Sequence, residues 1–288
     1  MKKIILSSAA LMSLAACGST SQPAPTAFDD SVYAQAMDTG ESAFDLKRYK
    51  VAMSEYRTAG QQALKRDDGP AMAEAGYNLA VSQLAAGQPQ DALKTVQDVS
   101  QTLLIRHDAS VVSLKLVQAA AYYQLKNYTQ AIEDAAAPMA EADKDLAGRA
   151  ALIMGLAGYD SGDNAALQRA YTRLHNMKKP VSVSVLADKK EIEALSLIKT
   201  NPAQAMSLAR EVADLRRDEG SYNEMSRALA LAARAASISG DHAGAASLWA
   251  RAAQSAAAQS GSQMQKDADQ WGQLAGGVLL HPLAPPAQ

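Results

Sequence analysis

The chain has 288 residues, of which 48% are hydrophobic, 20% charged and only 5% aromatic, and 61 are alanine. That much alanine beside 17 glycines and 10 prolines is the composition of closely packed helices, and it excludes a β-sandwich, a collagen-like chain or a wholly disordered one. A formal charge of −2 supplies no basic stripe for nucleic acid, and a single cysteine excludes both an intrachain disulfide framework and a multi-thiolate zinc site.

The first element is an address. Met1-Lys2-Lys3 is a short positive region, and Ile4 to Leu14 is an 11-residue apolar run broken by three serines. A helix needs about 20 apolar residues to cross a bilayer, so this run is too short to span one. Leu14-Ala15-Ala16-Cys17 follows, and the order of charge, apolar run and small residues reads as a secretory signal peptide over residues 1–16. The tetrapeptide resembles the lipobox of bacterial lipoproteins. That resemblance implies cleavage before Cys17, which becomes a diacylated and N-acylated first residue carrying palmitate-type chains. Several chains on one residue anchor stably where one alone binds only marginally. In lipoproteins an aspartate just after the cysteine favours retention at the inner membrane, and none appears here before Asp29. The resemblance therefore implies the outer membrane, on its periplasmic side. Residues 17–29, polar and with two prolines, read as a tether.

From Asp30 the chain repeats itself. Lys47-Arg48-Tyr49 leads to Ala52, Gly87-Gln88-Pro89 to Ala92, and Lys126-Asn127-Tyr128 to Ala131. Gly162-Asp163-Asn164 leads to Ala166, Thr200-Asn201-Pro202 to Ala205, and Gly240-Asp241-His242 to Ala245. The spacings between these alanines are 40, 39, 35, 39 and 40 residues, a period that signals a repeat architecture. Each unit reads as two helices around the turn. Tyr77 to Ala86 has helical propensity, Gly87 can supply a left-handed helix ending, and Pro89 can open the next helix without losing an internal bond. Asn127, Asn201 and Asp241 are expected to cap their second helices. The alanine marks the closest approach of two helices, where a larger side chain would overpack.

Ala52 with Tyr56, and Ala245 with Trp249, resemble the ending of the tetratricopeptide repeat, alanine then an aromatic four residues on. Gly40 and Tyr122 match earlier positions of that pattern, whereas Val96, Ala135 and Ala209 replace the aromatic. The spacing also exceeds the about 34 residues of that family. The resemblance runs from Asp30 to about Ser260. It implies an all-α, right-handed solenoid of about six helix-turn-helix units over residues 30–260. A capping helix over 261–280 would contain the amphipathic stretch Gln263 to Leu274, and a Pro-rich tail would occupy 281–288. Val181 to Val185 alternates like a strand, but a lone strand would leave its backbone donors unpaired, so it is expected to begin a helix after Pro180. Pro138 should kink or shorten the second helix of the third unit.

Catalytic and metal motifs are weak. Ser196-Leu-Ile-Lys199 and Ser221-Tyr-Asn223 fit two elements of penicillin-binding enzymes, but no Lys-Thr-Gly follows and both fall in helical repeats. His107, His175, His242 and His281 are scattered, never at i, i+4 spacing, and read as surface or turn residues without a metal. Gly158-Tyr-Asp-Ser-Gly162 is one position off a nucleophile elbow and reads better as a hairpin turn. Lys189-Lys190-Glu191 with Glu193 reads as a solvated helix face. No cofactor and no enzymatic activity are implied.

What remains is the concave face that first helices line in such an architecture. Tyr77, Leu84, Leu116, Tyr123, Tyr159, Arg227 and Arg234 fall on the non-core side of those helices. Aromatic and arginine side chains suit protein recognition, since each offers a large contact area with a polar end, although tyrosines at this spacing also serve inter-repeat packing. Tyr122 and Tyr123 must face different ways, and Tyr123 leads the candidates. The expectation is a membrane-anchored interaction scaffold or assembly factor of the bacterial envelope, with envelope proteins as partners and no nucleic acid. The rival is a peptidoglycan-related enzyme or glycan-binding accessory protein.

Overall fold

The turns decide where the helices stop. In four of the six expected turns the second residue's N–H reaches back five residues to a carbonyl of the preceding helix: Arg48 to Ala43, Gln88 to Gln83, Asn127 to Tyr122 and Asp241 to Ala236, at 2.8–3.0 Å. This is the Schellman closure, which satisfies carbonyls that a helix end would otherwise leave open. It requires a left-handed residue just before, supplied without steric cost by Gly87 (φ 73°) and Gly240, and at some cost by Lys47 and Lys126.

The computed structural model describes residues 30–107, 112–259 and 262–276. The signal peptide, Cys17, the tether and the tail at 281–288 lie outside the described residues. Among those described, the chain is all-helical, with thirteen α-helices and no strand. In chain order these are α1 (Ser31–Asp45), α2 (Tyr49–Lys65), α3 (Gly69–Ala85), α4 (Pro89–Ile105), α5 (Val112–Gln124), α6 (Tyr128–Ala140) and α7 (Lys144–Ser161). Then come α8 (Asn164–His175), α9 (Val183–Leu197), α10 (Pro202–Asp218), α11 (Tyr222–Ser239), α12 (His242–Ala257) and α13 (Ser262–Leu274). None of the described helices is long and apolar enough to cross a membrane.

All six turn tripeptides fall at junctions between an odd-numbered helix and the even-numbered one after it. Every helix packs against the next in sequence, and α3, α5, α7 and α9 also touch in succession, forming a row of first helices. The anchoring alanines 52, 92, 131, 166, 205 and 245 are all buried. So is the residue four positions on in every pair: Tyr56, Val96, Ala135, Ala170, Ala209 and Trp249. Where that residue is aromatic its partner must be small. A Cβ on Gly40 would come within 2.7 Å of the Tyr56 ring, so glycine is what admits the aromatic.

Caps divide. Asn201 and Asp241 accept from the backbone N–H of Gln204 (3.3 Å) and Gly244 (2.8 Å), as expected. Asn127 makes no side-chain cap bond, so that expectation fails, although its backbone N–H closes the turn onto Tyr122 as Asp241 does onto Ala236. The alternating stretch does open a helix: Ser182 caps α9, its hydroxyl oxygen accepting from the Val185 N–H. Pro138 lies two residues before the end of α6, whose 13 residues compare with 17 in α2, α4 and α10. The expected last helix forms as α13, with Ala268 buried and Trp271 packed against the large core cluster.

Two cores result. A smaller one, built around Leu103, Leu114 and Val117, joins α2 to α5. A larger one runs from Ala119 to Ala275 and is mostly alanine with Leu, Ile and Val between.

Candidate functional site

α9 has little free surface. Val185, Ile192 and Leu195 are buried, and so are two of its acids, Asp188 and Glu191. Buried carboxylates need partners, because leaving water costs them several kcal/mol on the order that ion burial usually does. Arg227, on α11, answers Glu191 with two parallel bonds, Nε to Oε1 at 2.8 Å and Nη2 to Oε2 at 3.0 Å. Such a bidentate fork fixes orientation as well as charge. Asp188 accepts from Arg149 on α7 at 3.3 Å and from Arg216 on α10. Arg216 is fully buried, and its Nη1 also donates to Ser184 Oγ at 3.1 Å and to Glu219 at 3.2 Å. Arg149 reaches Glu224 on α11 at 3.6 Å.

Further along the same helices the contacts turn aromatic. The Tyr123 hydroxyl, on α5, donates to Asp160 Oδ2 on α7 at 2.9 Å, and its ring packs 5.9 Å from that of Tyr128. Arg234 on α11 donates to the Tyr159 hydroxyl at 3.3 Å, its guanidinium lying 5.8 Å from the ring centre. Side chains from α7 and α11 thus meet across α9 at two points. The result is a continuous belt of charge and phenol over α5, α7, α9 and α11.

The electrostatics follow the geometry. Burial lowers the pKa of Arg227, but the Glu191 carboxylate, with Glu224 and Tyr123 nearby, more than offsets this and holds it above the ordinary value. Burial and the Asp160 charge raise Tyr123 against the pull of Arg227, so its phenol stays protonated and donates. Burial also pushes Asp188 up, against the opposing pull of Arg149 and Arg216. Asp188 Oδ2 and Arg216 Nε have no protein partner, which leaves a donor and an acceptor free inside the belt.

Four of the seven expected groove residues, Tyr123, Tyr159, Arg227 and Arg234, enter this belt. The other three do not. Tyr77 and Leu84 pack against the smaller core, and Leu116, on α5, is only 8% exposed. The sequence reading missed Arg149, Asp160, Asp188, Glu191, Arg216 and Glu224. Lys189 to Glu193 is not the solvated face expected: Glu191 is 1% exposed, Lys190 pairs with Glu211 at 2.7 Å, and Glu193 lies 3.5 Å from His175. The available signal was the apolar set Val185, Ile192 and Leu195, which shares its side of α9 with Asp188.

The decoys have structural explanations. Ser196 donates to its own helix, to the Glu193 carbonyl at 2.7 Å. In Gly158 to Gly162, a Cβ on Gly158 would meet the Leu167 nitrogen at 2.8 Å, and Gly162 ends α7 in the left-handed region. His175 stacks on Tyr171 at 3.8 Å, with Nδ1 3.1 Å from the Tyr171 carbonyl. Two open clefts lie elsewhere, between second helices. One, about 370 Å³, is lined by residues that include Arg217 of α10, Leu229 of α11 and Arg251 of α12. The other, about 270 Å³, runs between α2 and α4.

No protein-family model matches the chain, and no curated protein does.

Proposed function

We propose that this protein is a lipid-anchored helical-repeat scaffold, or assembly factor, of the bacterial envelope. In this reading six tetratricopeptide-like hairpins form a right-handed solenoid held by acylated Cys17 at the periplasmic side of the outer membrane. The partner is another envelope protein, received on the concave side lined by α5, α7, α9 and α11. The observation that carries the reading is the belt itself. Its inner members are fixed in pairs, Asp188 with Arg216 and Glu191 with Arg227, while Arg234 and Asp160 remain exposed and Tyr159 half-buried. A rigid, pre-paired base under an exposed arginine and a half-buried tyrosine is an arrangement that suits binding anchors, because little ordering is left to be done on contact.

A photo-crosslinking side chain at Arg234, in cells carrying the full chain, tests this. The expected result is one discrete covalent adduct with an envelope protein, and none from the same probe at Arg251 on α12. Hydrolysis of peptidoglycan or an ester by the purified protein, lost in Ser196→Ala, would replace the scaffold reading with the enzyme reading.

A further inference from the structure

The ends of the first two hairpins at which the chain enters carry an unusual surface. Because successive helices run antiparallel, the start of α1, the α2–α3 turn and the end of α4 lie at one edge. Ion pairs tie them together. Arg66 bonds Asp30 at 3.2 Å and Asp68 at 3.0 Å, its guanidinium lies 4.9 Å from the Tyr33 ring centre, and Arg106 Nε donates to Asp67 at 2.7 Å. Between and beside these pairs four aliphatic side chains stand in solvent: Val32, Leu64, Leu104 and Ile105. Leu104 and Ile105 are 64% and 79% exposed, although the preceding Leu103 is fully buried. Leu64 also lines the cleft between α2 and α4, together with Thr102. Among the described residues of this edge, Lys65, Arg66 and Arg106 stand beside Asp30, Asp67 and Asp68, equal in number and opposite in sign.

We infer that this edge is a bilayer-contacting surface, with Leu64, Leu104 and Ile105 dipping into the headgroup region beside the anchor. The inference rests on the lipid-anchor reading of Cys17. Asp30, at the edge itself, is only 13 residues from Cys17, which places the edge within about 45 Å of the acylated residue at full extension. Exposed aliphatics in a cluster mark an interaction surface, and adjacent acyl chains make lipid the apolar phase they meet first. The ion pairs neutralise Arg66 and Arg106 at the helix ends, while Lys65 stays exposed with only Gln62 beside it.

The test uses the full lipidated chain. Cys17 is the only cysteine, and in this reading its sulfur is acylated, so Ile105→Cys or Leu104→Cys gives a single labelling site. An environment-sensitive fluorophore at that site is read in vesicles of phosphatidylethanolamine and phosphatidylglycerol containing a nitroxide quencher near the headgroups. Leu46→Cys is the control: Leu46 is 65% exposed, but lies at the opposite end of the hairpin, in the α1–α2 turn. The expected result is loss of emission at positions 104 and 105 and none at 46. Equal emission at 105 and 46 from vesicle-bound, acylated protein would overturn the inference while leaving the anchor intact. Shielding of position 105 only when envelope proteins are added would also overturn it, in favour of a protein partner. Absence of acyl mass on Cys17 would overturn the anchor reading, and the inference with it.

Discussion

Replacing Asp188 by alanine should be the most damaging single change in the belt. Asp188 and Arg216 are both fully buried, and they face each other between α9 and α10. Removing one partner of a buried pair usually costs about 3–5 kcal/mol, because the remaining charge stays out of water without compensation. Arg216 keeps Glu219 at 3.2 Å and Ser184 at 3.1 Å, and Arg149 keeps Glu224 at 3.6 Å. The loss should therefore fall at the low end, about 3 kcal/mol. The double change Asp188→Leu with Arg216→Met removes both charges. It should return to within about 1 kcal/mol of wild type, since apolar replacement of a buried pair is often neutral. Urea unfolding followed by circular dichroism reads both, with the midpoint shift at unchanged slope as the measure. If Asp188→Ala unfolds like wild type, or the double variant is no better than the single, the pair does not hold α9 and α10 together as described.

Small residues give a graded set. Gly60→Ala should stabilise by about 0.5–1 kcal/mol through helix propensity, because its added Cβ meets only Ala75 at an ordinary 3.8 Å. Gly158→Ala should destabilise by about 1–3 kcal/mol, because its Cβ strikes backbone atoms of Leu167 and Asp163 that cannot swing aside. Thermal melts of the two proteins should move in opposite directions. Ala92→Leu should cost about 1–3 kcal/mol by overpacking the α3–α4 contact, and an unchanged melt would show the alanine register to be wrong. Burial, with Glu41, Asp45 and Glu74 adding their charge, pushes the Tyr56 phenol up to about 12. A raised folded-state value means full stability below pH 10 and a loss of about 2–3 kcal/mol as pH climbs to 12, while the unfolded phenol ionises first. Tyr56→Phe should flatten that part of the pH profile and leave neutral-pH stability nearly unchanged.

What the sequence made legible was local. A tight turn followed by a buried alanine depends on a few contiguous residues, and all six turns and alanines lie where the spacing put them, five of the turns through a left-handed residue and the one at Thr200 without it. The helical reading of Val181 to Val185 was sound for the same reason, since Ser182 carries its own cap. The belt was not legible because its bonds join residues 28 to 75 positions apart, across helices whose relative rotation no local pattern encodes. Glu191 illustrates the difficulty. Its neighbours Lys189, Lys190 and Glu193 look like a solvated face, and only the arrival of Arg227 from α11 explains why an acid is buried there. Leu116 erred in the opposite direction. Helical periodicity placed it outside the core, and packing among the first helices buried it.

The most direct test of the scaffold account is partner capture from native membranes after crosslinking. Tyr159→Ala with Arg234→Ala removes the outer contacts of the belt without exposing a buried charge. Lys94→Ala, Glu133→Ala and Arg251→Ala make a control set of exposed residues on α4, α6 and α12. The account predicts that the first pair abolishes capture, with helicity and membrane retention unchanged, and that the second set captures as wild type does. Loss of capture in the second set, with the first pair still binding, would place the partner on the second helices and contradict the account.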